Sequence, residues 1–202
     1  MNSIFTKELY NRKTASAILL FGIIQWIILV LIAEGIQPGY ISSIHYVSSL
    51  GTGKTSLMYN ASTILLGISV VIASLIIRRF NSSRIFFVLF LITGLATIGV
   101  GVFPEDSRPM HGIVTPIALI FGALAAIFSY KIQEKPASYF SIILGAVSLI
   151  TGIVFIPYLG LSVDSRVMYL GFFKGTLERI VIYTNLLWVL ILGSQLTSKP
   201  EE

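Results

Sequence analysis

Six stretches of this chain are long, apolar and nearly free of charge: approximately residues 14–33, 59–77, 85–103, 112–130, 138–157 and 176–193. Each approaches the ~20 residues that a helix needs to cross the hydrocarbon of a bilayer. No water is available there, so the backbone must satisfy its own hydrogen bonds, and an apolar run of this length reads as helix. The expected fold is all-α: a polytopic transmembrane bundle of six spans, forming a single domain over residues 1–202. Composition agrees. The chain is 55% hydrophobic and 11% charged, where a soluble domain carries about 25% charged residues. There is no cysteine, which excludes disulfides, thiolate metal sites and cysteine nucleophiles. Arg12 and Lys13 precede the first run, which ends in Ala33-Glu34-Gly35, a poor cleavage site. It reads as a retained span rather than a signal peptide.

The connections predict the path. Residues 78–84, 104–111 and 131–137 are short links, so the helices they join are antiparallel neighbours. Lys7, Arg12, Lys13, Arg78, Arg79, Arg84, Lys131, Lys135 and Lys199 fall on one side. Lys54, Arg108, Arg166 and Lys174 fall on the other, with Arg179 inside the last span. The positive-inside rule then places both termini in the cytoplasm of a multi-pass cell-membrane protein. Basic residues so placed face anionic lipid, and they give no nucleic-acid footprint.

Two longer segments remain. Over 40–51, Ile41, Ile44, Val47 and Leu50 recur every three residues with serines between them, which predicts a short interfacial helix ended by Gly51. Residues 158–175 are rich in Tyr, Phe and Leu, and are expected to rest on the membrane surface or cap the bundle. Small residues mark packing faces: Ala118, Gly122 and Ala126, then Ser141 with Gly145 and Ser148 with Gly152.

Gly51-Thr52-Gly53-Lys54-Thr55-Ser56 imitates a phosphate loop, but Ser48 stands where the first glycine is required and no strand precedes it. It reads as a turn. Glu178 and Arg179 lie near the outer end of the sixth span, where ionisable groups need partners. Adjacent residues on a helix point in different directions, so each needs its own. Pro104-Glu105-Asp106-Ser107-Arg108-Pro109-Met110-His111 concentrates carboxylates, an Arg and a His in one outer turn. Asp106 and His111 have no recognised ligand spacing and the chain holds only one other histidine, so no metal and no cofactor is assigned. Asn60 and Asn185 read as interhelical hydrogen-bonding groups.

Taken in order, Ile41-Ser42, Ser49-Leu50-Gly51, Asn60, Phe103-Pro104-x-Asp106 with His111, and Glu178-Arg179 with Trp188 make a pattern. It resembles the archaeal and bacterial membrane proteins catalogued as domain of unknown function 998, over nearly the whole chain. The resemblance implies a polytopic membrane protein without an agreed biochemical role. Ser43 and Ser49 depart from the commoner pattern, which has an acid just before Leu-Gly. The expected function is a polar pocket at the outer mouth built from Glu178, Arg179, Asp106, His111 and Asn60. It would bind a small ligand, a lipid headgroup or a membrane partner, either a second copy or another protein. A lipid-modifying enzyme with a carboxylate/His site is the alternative, and a small transporter ranks third.

Overall fold

A computed structural model describes residues 11–198. Its six long helices are α1 (Arg12–Ile36), α2 (Ser56–Phe80), α3 (Arg84–Val102), α4 (Met110–Phe128), α5 (Ala137–Phe155) and α6 (Lys174–Ser198). All six are long and apolar enough to cross a membrane. Each packs mainly on its neighbours in sequence, and α6 returns to lie against α1, so the helices form a closed ring. α1 starts and α6 ends at the same end of the bundle, called here the basic end. The other is the loop-rich end. α5 is the least enclosed span, and its Ile143, Ile150 and Ile153 face outward, as a lipid-facing surface requires.

Within lipid the hydrophobic effect does not drive helices together; close packing and hydrogen bonds do. Gly145 lies so near α4 that a Cβ there would sit 2.6 Å from the Ala123 carbonyl oxygen. The expected Ser141–Gly145 face is therefore a real seam. Gly152 faces open space instead, although Ser148 is buried. A seam absent from the sequence reading joins α2 to α3. A Cβ on Gly67 would meet the Ile98 nitrogen at 2.6 Å, and one on Gly101 would meet the Asn60 oxygen at 2.7 Å. These glycines alternate between two helices, so no periodicity within one helix reveals them.

Several polar side chains inside the spans tie one helix to the next. Gln25 Nε2 donates to Gly22 O and Ser62 O, both at 2.9 Å, tying α1 to α2. Ser16 Oγ donates to Gly193 O at 2.6 Å, closing the ring at α1 and α6. Trp26 Nε1 donates to Thr63 Oγ1, and Trp188 Nε1 to Ser129 Oγ, each at 3.0 Å. Trp188 is fully buried and packs edge-on against Phe86 and Phe90, filling the ring's centre toward the basic end.

The two longer connections both fold over the loop-rich end. Residues 40–51 make bends and a 3₁₀ turn at Ser48–Gly51, followed by a second at Gly53–Thr55, rather than one continuous helix. Val47 and Leu50 are fully buried, and so nearly are Ser48 and Ser49. Ile44, Val47 and Leu50 of the three-residue repeat are thus buried in the plug of the bundle, whereas Ile41 is exposed and Ser48 and Ser49 do not form an outer face. Residues 158–173 carry a small hairpin of β1 (Met168–Tyr169) and β2 (Phe172–Phe173). Buried Tyr158 pins it: its hydroxyl accepts from Tyr169 N at 2.7 Å and donates to Phe172 O. The turn residue Leu170 is 79% exposed.

Candidate functional site

The loop-rich end is organised by the first turns of α6. Glu178 is 4% exposed, and its carboxylate accepts from the backbone N–H of Val47 and faces that of Ser48. These amides open the 3₁₀ turn at Ser48, so a side chain from a distant helix caps it. Arg179 points another way. Its Nη2 donates to Glu34 Oε1 on α1 at 2.6 Å and to the Tyr40 hydroxyl. Its Nη1 donates to Ser42 O, to His45 O at 3.2 Å and to Gly175 O at 3.0 Å. Burial pushes the Tyr40 phenol well above its ordinary range despite the nearby guanidinium. The hydroxyl therefore keeps its proton and donates to Tyr46 O at 3.0 Å. Two adjacent residues thus hold one loop from two sides. Gly175 permits the approach, since a Cβ there would lie 2.5 Å from Ser42 O.

The remaining expected site residues do not join them. Among the described residues no hydrogen bond or ion pair links any two of Glu178, Arg179, Asp106, His111 and Asn60. His111 donates from Nδ1 to Phe103 O at 2.7 Å, which leaves Nε2 to accept from Thr115 Oγ1 at 3.1 Å. It clasps the α3–α4 turn. Asn60 Nδ2 donates to Gly51 O at 3.0 Å and fastens the plug segment to α2. Asp106 is exposed.

Three residues outside the expected set add further enclosed charge here. Glu105, not Asp106, turns inward. It is 6% exposed, 3.7 Å from Arg108 Nη2, and its Oε2 has no partner among the described residues. Lys174 is wholly buried and donates to Ser162 O at 3.0 Å and Ser165 O at 2.7 Å, with its ammonium 5.1 Å from the Tyr46 ring centroid. Glu34 pairs with Arg179. Spacing alone cannot separate Glu105 from Asp106, because a turn can present either. The apolar stretch before Lys174 was the available signal that its start is covered.

Burial raises the Glu105 carboxyl above its ordinary range, while Arg108 and Lys174 pull it back and Asp106 adds to the rise. A raised folded-state value means that the fold favours the protonated acid. Stability is then fullest below the ordinary carboxylate range and falls as pH rises through the raised one. Glu105→Gln is expected to flatten this part of the profile and raise the neutral-pH melting midpoint. Thermal unfolding of both proteins across pH 4–8 checks it (a range set by ordinary carboxylate values of about 4); superimposable profiles contradict it.

Beneath the plug segment, inside the ring, lies a cavity of about 100 Å³. Every helix except α5 contributes to it. Its wall is mostly apolar, with Glu178 and Ser48, Tyr59 and Thr63 on α2, Thr93 and Thr97 on α3, Thr115 on α4 and Asn185 on α6 as polar members. Thr93 and Thr97 spend their hydroxyl protons on Leu89 O and Thr93 O of their own helix. Asn185 Nδ2 donates to Leu119 O at 3.3 Å, and its Oδ1 is buried without a partner among the described residues. Asn185 Oδ1 and the hydroxyl oxygens of Thr93 and Thr97 therefore stand as acceptors in the wall. No group of three or more His, Asp or Glu that could hold a metal occurs among the described residues.

A family model described as protein of unknown function (DUF998) matches residues 20–195. The chain belongs to that family. No curated protein and no solved structure matches it. This DUF998 chain is thus an integral, multi-pass membrane protein whose family carries no assigned activity. The matched span takes in α2 to α5 whole, most of α1 and α6, and the plug segment with both of its anchors, Glu178 and Arg179.

Proposed function

We propose that this protein binds one small apolar molecule bearing a hydroxyl or amine in the chamber within its helix ring. The observation that carries this reading is the wall itself. Asn185 Oδ1, buried without a partner among the described residues, costs free energy until a donor reaches it, and Thr93 and Thr97 can only accept. A purely apolar void of comparable size binds small hydrocarbons; acceptors on the wall select for O–H or N–H. The space suits the end of a chain rather than a whole lipid. The basic end faces the cytoplasm of the cell membrane on this reading, by the positive-inside rule, so the plugged mouth opens outward. Binding is favoured over lipid-modifying chemistry because the Glu178 carboxylate is already engaged by backbone amides.

The test compares farnesol with its hydroxyl-free hydrocarbon as thermal stabilisers of the detergent-purified protein. Farnesol is expected to raise the melting midpoint and the hydrocarbon to do so far less. Asn185→Leu should remove the difference while keeping the chamber's volume. Equal shifts from both compounds, or a preference that survives Asn185→Leu, would rule the reading out.

A further inference from the structure

A second cavity opens at the basic end, between the start of α1, the end of α2, the α4–α5 turn and the end of α6. It is larger, about 350 Å³, and polar. Its lining brings together Arg12, Asn81, Lys131, Gln133 and Glu134. Four separate parts of the chain meet here, so the placement belongs to the fold and not to one run of basic sequence. Arg12 is held with its guanidinium carbon 5.0 Å from the Phe80 ring centroid, at the first turn of α1. Gln133 is 8% exposed. Its Oε1 lies 2.7 Å from Ser129 Oγ, a hydroxyl that accepts from Trp188 Nε1 at 3.0 Å and shares its one proton between Gln133 Oε1 and Ala126 O at 2.6 Å. Its Nε2 is buried with no partner among the described residues.

We propose that this cavity binds a phosphodiester, with Arg12, Lys131 and Gln133 Nε2 donating to its oxygens. A buried amide N–H without an acceptor is costly, and a phosphate oxygen supplies the acceptor. A guanidinium and an ammonium on the same lining supply charge-assisted donors of the kind that hold phosphate. Glu134, exposed in the same lining, offsets one of those two cations. The balance suits a singly charged diester over a dianion. The site opens at the end of a membrane bundle, level with lipid headgroups, so an anionic phospholipid is the nearest source. A soluble phosphate ester shares the chemistry.

The experiment uses the whole protein, delipidated in detergent and offered phosphatidylglycerol or phosphatidylcholine, with retained lipid read by native mass spectrometry. The wild-type chain is expected to retain phosphatidylglycerol over phosphatidylcholine by about fivefold or more. The doubly substituted Arg12→Gln, Lys131→Gln chain should lose that preference. Lys54→Gln with Arg166→Gln, at the opposite end, should keep it. If inorganic phosphate or glycerol phosphate instead protects the wild-type chain from thermal unfolding, and the Arg12/Lys131 variant is not protected, the site is real and its ligand soluble. No preference for either probe overturns the proposal, as does equal loss in both double variants. Should the Arg12/Lys131 variant fail to fold, photo-crosslinking of a headgroup-labelled phosphatidylglycerol to the wild-type chain decides. Label on the α4–α5 turn and the start of α1 supports the site, and label elsewhere alone overturns it.

Discussion

Glu178→Ala will destabilise the protein by about 2–4 kcal/mol, because it strands two buried backbone amides at once. The carboxylate is 4% exposed and accepts from Val47 N while facing Ser48 N. Those amides begin the 3₁₀ turn that seats Val47 and Leu50 in the bundle. Without the carboxylate, neither amide has water to turn to. The loss is partly offset, since the cost of burying the acid also disappears. Glu178→Gln keeps one carbonyl oxygen for one amide and is expected to lose about half as much. Denaturant titration in detergent reads the free energies. Proteolysis reads the place, with new cleavage expected within residues 40–55 and none within the helices. A Glu178→Ala protein as stable and as resistant as wild type contradicts the capping role.

The second large effect belongs to Arg179. Replacing it by lysine keeps the charge but loses the fork that reaches Glu34, Tyr40 and the carbonyls of Ser42, His45 and Gly175 together. One ammonium cannot span partners on α1, the plug segment and its own helix, so a loss of about 2–3 kcal/mol is expected. The Arg179–Glu34 pair is mostly enclosed, with side-chain exposures of 11% and 15%. A double-mutant cycle of Arg179→Lys with Glu34→Gln should therefore show a coupling of roughly 1–3 kcal/mol, where an exposed pair shows far less. A coupling near zero contradicts the pairing. Loss of both Glu178 and Arg179 should free the plug segment entirely and expose the chamber beneath it.

Much of this was readable from residue types alone. Six charge-poor runs near bilayer length can only be helices in lipid, and all six formed. The need of Glu178 and Arg179 for separate partners followed from their adjacency, and the structure supplies Val47 on one side and Glu34 on the other. What the sequence could not carry was convergence. His111 and Asn60 each found a carbonyl close by in sequence, Phe103 and Gly51, before any distant group. Glu105 took the buried place beside Asp106, and nothing in the order of two acids foretold which. The chamber is made by five helices whose lining residues are ordinary threonines, aromatics and aliphatics, unremarkable until the ring closes. The plug segment showed its periodicity plainly, but a three-residue repeat does not say whether the apolar face meets lipid or the bundle.

The most direct test of a ligand-holding chamber beneath a clamped plug is native mass spectrometry of the protein released from its own membrane. One hydroxyl- or amine-bearing amphiphile per chain is expected on the wild type. It should be absent from Gly122→Leu, whose added side chain grows from the chamber wall beside Asn185. A wild-type chain that emerges bare, or one whose adduct persists undiminished in Gly122→Leu, contradicts the account.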